Sequence, residues 1–430
     1  MYLFKLPLCL QDMIVYFWLC VLLATLWIYL HKTYSYFKKH GVNHLPPVPI
    51  FGHVAKSLLR KEHTYDMLHR LYIAFPDDRF VGYFEFTNKL VIIRDPELLR
   101  LIGVKDFDYF TDHRSFGGDK DSFFGKSLFG LKGQKWRDMR STLSPAFTGS
   151  KLRGMVPLMQ DCSENLVQYL KSEAEKNDST LTHESINDEK DAGFATAEES
   201  AIGKKVIKQV WEDDYLVAQA IIFFFGGFDT VSTAMVFLLY ELAVNPDVQH
   251  RLREEIDGCH EMYEGKIEYD KINQLKYLDM VVSEALRKWP PFPFMDRICQ
   301  KRYNIGRPNG KAPNDYYLQK GSVVGIPIWP IHHDPRYYPE PQRFDPERFS
   351  DENKNNIKPF TYLPFGIGPR NCIGSRFAIT EIKAMTFDVL KHFELSPTPR
   401  TRIPVKLDNS SISLRIKGGH WLRFTPRVGA

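Results

Sequence analysis

Phe365-Gly-Ile-Gly-Pro-Arg-Asn-Cys372-Ile-Gly374 is the stretch on which the fold turns. Its pattern, F-x-x-G-x-R-x-C-x-G, runs directly into residues 375–390, whose apolar spacing predicts a helix. Glycines let a backbone bend tightly and approach a flat ligand. A cysteine at a helix N-terminus lies in a positive field, and backbone N–H groups can point at its sulfur. Both effects favour thiolate, the form that binds iron. The plain alternative is a Gly-rich turn around an inert buried thiol, which a ten-residue pattern of this kind disfavours.

Working outward, the other five cysteines (Cys9, Cys20, Cys162, Cys259 and Cys299) are far apart and form no C-x-x-C pair. Neither a disulfide framework nor a zinc site can be read from that spacing, and a reducing compartment suits it. The 430 residues are 43% hydrophobic and 14% aromatic, which excludes disordered, collagen-like and disulfide-scaffold classes. A net charge of +5 without a dense Lys/Arg block gives no sign of a nucleic-acid partner.

Residues 13–30 (MIVYFWLCVLLATLWIYL) carry no charge and are long enough to span a bilayer as a helix. Lys32, Lys38 and Lys39 follow, against Lys5 before, so the positive-inside rule keeps the C-terminal side cytoplasmic. A retained anchor over residues 1–31 is expected rather than a cleaved signal peptide. Residues 32–52, ending in Leu45-Pro-Pro-Val-Pro-Ile-Phe-Gly52, read as a basic, Pro-rich hinge holding the body off the membrane.

The body, 53–430, reads as mainly α with a minor β part. Helical spacing covers 63–75, 134–143, 155–170, 212–245, 246–259 and 273–289, and one last helix runs from Cys372 to about His392. Residues 80–93 read as a hairpin, and Asp95-Pro-Glu as a helix start. Short strands are expected at 315–329 and 411–426, and a Pro-rich meander at 335–349. Residues 171–200, with nine acids and three large apolar residues, read as a solvated loop.

The cysteine segment resembles the haem-binding loop of the cytochrome P-450 superfamily, and four more segments agree in order. Trp136-Arg-Asp-Met-Arg140 is similar to the W-x-x-x-R of its C helix. Gly226-Gly-Phe-Asp-Thr230 is similar to the oxygen-binding stretch of its I helix. Glu284-Ala-Leu-Arg287 matches the E-x-x-R of its K helix, and Phe344-Asp-Pro-Glu-Arg348-Phe349 its P-E-R-F meander. The stretches FFFGGFDTVSTAM and WEDDYLVAQA look most like microsomal insect members of family 9, in the clan of the vertebrate drug-metabolising family 3.

The resemblance implies the P-450 fold, haem b on Cys372, and haem contacts at Phe365, Gly368, Gly374, Gly226 and Gly227. It implies propionate contacts at Trp136, Arg140, Arg297 and Arg370, where arginine suits carboxylates through its bidentate fork. Asp229 and Thr230 would deliver protons during oxygen activation. Glu284, Arg287 and Arg348 would form a buried structural network. Each also has a blander reading: a surface i,i+3 ion pair, a core tryptophan with a solvated arginine, a threonine bonded back to its own helix. Two glycines inside a helix cost about 1 kcal/mol each against alanine, which suggests that they serve a ligand.

The resemblance further implies a monooxygenase of small lipophilic substrates (xenobiotics or endogenous lipids) in the endoplasmic reticulum membrane. Its electrons would come from NADPH through a reductase, with cytochrome b5 as a second donor. The cluster Lys132, Lys135, Arg137, Lys151 and Arg153 would attract such an acidic partner, or would simply be a solvated surface. A thiolate isomerase needing no electrons fits Asp229-Thr230 less well.

Only 93 positions separate Trp136 from Asp229. The family carries a longer stretch there, so the D to G helix region, which roofs the substrate, is expected to be largely absent, with 171–211 bridging the gap. The competing expectation is a truncated or splice-derived haem-binding form without normal monooxygenase activity. The difficulty it raises is apolar surface on the 212–245 helix left uncovered.

Overall fold

The computed structural model describes residues 8–114, 122–176, 180–181, 211–263 and 268–427. Among them are eight helices of ten or more residues: α1 (Leu8–Tyr34), α2 (Thr64–Ile73), α3 (Gly133–Leu143), α4 (Gly149–Lys176), α5 (Asp213–Val244), α6 (Pro246–Tyr263), α7 (Lys276–Lys288) and α8 (Ser375–His392). The longer strands are β1 (Phe80–Glu85), β2 (Asn88–Ile93), β3 (Met295–Ile298), β4 (Val323–Ile326), β5 (Phe393–Pro397) and β6 (Leu422–Pro426).

One sheet has the order β1-β2-β4-β3. The β1–β2 hairpin is antiparallel, β2 runs parallel to β4, and β3 returns antiparallel with Arg297 opposite Val324. In the other sheet β6 lies between β5 and the two-residue strand Thr180–Leu181. Asp95 caps the short helix Pro96–Arg100 by accepting from the Glu97 N–H, the use of Asp-Pro that the sequence predicts.

The core is built on the second half of α5. Phe237, Leu238 and Leu242 pack with Leu278 and Val281 of α7 and with Phe387 and Leu390 of α8, all fully buried. Asn245-Pro246 stops α5 and starts α6 at once, since the residue before proline is turned away from the α region. The first half of α5 is different: Phe225 is 61% and Phe228 56% exposed, and Leu216 and Val217 are exposed too. The expected uncovered apolar surface is therefore there, on the stretch before Val231.

Residues 12–34 of α1 are long and apolar enough to cross a membrane and are exposed along most of their length. By composition α5 meets the same test, but its second half is core. Within 32–52, the stretch expected to be a hinge, several residues pack on the body. Phe37 is fully buried in the sheet core, and a Cβ on Gly82 would lie 2.5 Å from its ring. Asn43 accepts from the Gly82 N–H, and Gly52 bridges to Glu85.

Three local expectations need adjusting. The helix foreseen at 155–170 runs from Gly149 to Lys176, into the stretch expected to be loop. Residues 328–332 are helical, and 411–426, where strands were expected, holds one strand, β6, and an isolated bridge from Ile416 to Leu407. Most of the 171–211 bridge lies outside the described residues.

Candidate active site

The cysteine loop is made by two glycines whose conformations no other residue would adopt easily. Gly366 and Gly368 have φ of +78° and +72°. A Cβ on Gly368 would lie 1.7 Å from the Gly103 carbonyl oxygen. The Cys372 N–H closes the turn by donating to the Phe365 carbonyl at 2.9 Å. Gly374 is different: its φ of −92° suits any residue, and a Cβ there would only touch Phe147. Space for a flat ligand, not backbone strain, would be its reason.

Cys372 ends the loop just before α8, and its side chain is accessible. The thiol is nevertheless held above its ordinary pKa, because the surrounding protein desolvates it. The Gly374 N–H and the Arg140 guanidinium pull the other way without winning. The helix terminus and the backbone N–H groups, which the sequence reading takes to favour thiolate, are outweighed here by desolvation. A bound cation would supply the missing stabilisation, since coordination deprotonates a thiol outright.

Three arginines converge beside this loop. Arg140 of α3 donates to the Asn371 carbonyl (2.8 Å) and to Asn371 Oδ1 (3.1 Å). Arg370 donates to the Thr111 carbonyl at 2.8 Å and lies over the Trp136 ring, 4.6 Å from its centroid. Arg297 of β3 donates to its neighbour's carbonyl, Asp296 O, at 2.7 Å. Trp136 is buried with Phe107, Leu131 and Met139.

Burial holds the Arg370 pKa down to about 9 and that of Arg297 down to about 10. Both Nε–H groups are buried and meet no acceptor among the described residues. Two desolvated guanidinium groups with spare donors are costly unless an anion joins them. A carboxylate-bearing ligand fits that demand.

Sequence reasoning missed His113, Asp112 and Asp296, which are buried in the same cluster. A single histidine in a loop carries no pattern. For Asp296 the only signal was its place next to Arg297.

Gly226, Gly227, Asp229 and Thr230 lie in the middle of α5, where a Cβ on either glycine would meet nothing within 4 Å. Thr230 Oγ1 donates to the Gly226 carbonyl at 2.6 Å, and Asp229 is exposed. The aromatic contact Phe147–Phe223 (5.5 Å between ring centroids) connects this part of α5 to the loop, because Phe147 also faces Gly374.

Behind the loop, Arg287 makes a two-pronged contact with Glu284 (2.7 and 2.8 Å), both fully buried. Glu284 also accepts from the Asp345 N–H at 3.0 Å and faces Arg348 Nε at 3.5 Å. Arg287 donates to the carbonyls of His332 and Pro341. One carboxylate thus joins α7 to the meander that precedes the cysteine loop.

The sequence model of the cytochrome P450 family matches residues 43–189 and 183–423. The chain belongs to the cytochrome P450 family. It is similar to cytochrome P450 9e2 of Blattella germanica, at 36% identity over 92% of this chain and 94% of that one. It is also similar to a probable cytochrome P450 9f2 of Drosophila melanogaster, at 34% over 91% and 95%. A third relative is cytochrome P450 6j1 of Blattella germanica, at 32% over 93% and 95%. Membership makes the chain a haem-iron monooxygenase, with haem b as cofactor and NADPH acting through a reductase.

The first of these alignments runs to 508 positions, so at least 78 positions of it oppose no residue of this 430-residue chain. The two family matches meet at 183–189, inside the stretch where the sequence predicts the shortage. The residues around the loop fit haem: a thiol at an accessible turn, two glycines held against Gly103 and Met295, and buried guanidinium donors in want of a carboxylate.

Proposed function

We propose that this P450 is a membrane-tethered haem-thiolate monooxygenase of small lipophilic compounds, xenobiotic or endogenous. Its place would be the endoplasmic reticulum membrane, anchored by α1, with the body (53–430) on the cytoplasmic side. The observation that carries this reading is the convergence of Cys372 with the under-satisfied donors of Arg297 and Arg370.

In this reading Cys372 ligates the iron, and Arg140, Arg297, Arg370 and Trp136 hold the propionates. Phe365, Gly368, Gly374, Gly226 and Gly227 line the ring. Bound there, thiolate-ligated haem supplies reductive activation of O2, with electron density pushed from sulfur. The chain's own task is to orient the ring and manage protons. The Thr230 hydroxyl, donating to the Gly226 carbonyl, keeps lone pairs free to accept from a water on the haem side. The Asp229 carboxylate, one residue earlier and exposed, can take protons from solvent and pass them inward. Glu284, Arg287 and Arg348 keep the meander and loop in place.

Electrons would arrive from an NADPH reductase, with cytochrome b5 as a second donor. In the cationic cluster proposed for steering, Arg137 pairs with Asp108 at 2.7 Å and Arg153 with Asp270 at 2.9 Å, which offsets two of its five positive charges.

The exposed first half of α5 favours a second reading: a shortened form that holds haem but does not enclose substrate. Reconstitution with a reductase separates the two. NADPH-dependent product from a lipophilic probe, reduced at least tenfold by Thr230→Ala, supports the monooxygenase. Haem binding with no product formation supports the shortened form.

A further inference from the structure

The arginine cluster is held in place by an acid that the mechanism does not use. Asp296, 2% exposed, directly precedes Arg297 on β3. Its Oδ1 accepts from His113 Nδ1 at 2.9 Å, and its Oδ2 from Arg114 Nε at 2.6 Å. Its carbonyl accepts from Arg297 Nη1 at 2.7 Å. Arg114 continues the chain of contacts to Glu85 at the end of β1.

His113 lies flat on Phe129, with ring centroids 4.7 Å apart and planes 9° from parallel. The Phe129 carbonyl accepts in turn from Arg370 Nη2 at 3.1 Å. The carboxylate therefore ties the 111–114 loop to β3, and His113 carries that tie to the 129–131 turn by stacking on Phe129. Those parts carry or brace both arginines with unsatisfied donors.

We infer that Asp296 is the positioning residue of the propionate cradle: its carboxylate holds His113, whose ring meets Arg297 Nη1 at 3.4 Å and, through Phe129, braces Arg370 before haem arrives. This rests on the haem reading given above. Asp296 touches neither haem nor substrate; it acts through groups that do. Preorganised donors lose less freedom on binding, so the effect should appear in cofactor retention.

The sign of the effect separates positioning from plain electrostatics. Asp296→Asn removes a negative charge and leaves the cradle more positive. An acid acting only through its charge would, when removed, let the cradle hold two propionates more tightly. A positioning acid, when removed, lets them go.

The experiment uses the full haem-loaded chain in detergent, mixed with excess apomyoglobin, with haem transfer followed by Soret absorbance. Asp296→Asn should transfer haem about tenfold faster than wild type, the usual cost of losing a second partner behind a ligand group. Asp296→Glu, which keeps the charge but shifts it by a methylene, should fall between the two. The position of the reduced carbonyl band should not change, showing that thiolate ligation is intact.

Transfer from Asp296→Asn at or below the wild-type rate overturns the inference. If that variant does not fold, Arg114→Gln, which breaks the Oδ2 arm together with the pair to Glu85 and leaves the Oδ1 arm, must speed transfer while Glu85→Gln does not, and a wild-type rate in Arg114→Gln overturns the inference equally. Wild-type protein that retains no haem at all would instead sink the function proposed above.

Discussion

At the scale of single residues, buried charge and buried histidine make the clearest predictions. Glu284 and Arg287 are both without solvent contact, so Glu284→Ala strands a guanidinium in the core. Chemical denaturation of that variant should show a loss of about 3–5 kcal/mol, far more than breaking the exposed pair Lys276–Asp351 would cost.

His332 is held neutral by its surroundings: Nε2 accepts from the Leu363 N–H at 2.8 Å, and Nδ1 donates to the Arg287 carbonyl at 3.0 Å. Burial, with Arg287 adding to it, lowers its pKa from 6.5 to about 3. The unfolded chain therefore takes up a proton below about 6.5 that the folded chain refuses until about 3. Stability from this group is full above the upper limit and falls by about 1.4 kcal/mol per pH unit as pH drops through the window. Denaturation of His332→Phe against wild type between pH 7 and 5 checks it: the variant should lose less stability on acidification.

At the scale of elements, α5 carries two environments along one helix. Its second half is core, while Phe225 and Phe228 of the first half are exposed. Hydrogen exchange should therefore protect amides 232–244 far longer than 215–228, because local opening costs less where few apolar contacts are lost. Equal protection along the helix would mean that something covers the first half in solution.

The helices were legible in the sequence because their signals are local. Asp95-Pro caps one helix, Asn245-Pro246 separates two, and the apolar period of α8 begins right after the cysteine loop. The β5–β6 pairing and the burial of Phe37 were not legible, since they depend on partners far along the chain. Of the site, the patterned residues could be read: Cys372, Gly368, Arg140, Glu284 and Arg287. His113 and Asp296 could not, because a contact across 183 positions leaves no spacing to read.

At the scale of the whole molecule, the chain is a P450 with an apolar N-terminal helix and fewer residues than its relatives between two well-matched halves. Packing with the body begins around Tyr34 and Phe37. A variant lacking residues 1–31 should thus keep its thermal transition and move from the membrane pellet to a salt-extractable fraction; unfolding on truncation would show that α1 supports the body.

The central claim is that Cys372, with the arginines beside it, holds haem as a thiolate ligand in this shortened chain. The direct measurement is the difference spectrum of the dithionite-reduced, carbon monoxide-treated protein. The account predicts the strongly red-shifted Soret band of thiolate-ligated haem, absent from Cys372→Ser. A band only at the shorter wavelength of neutral ligation, or no haem in the purified chain, would contradict it.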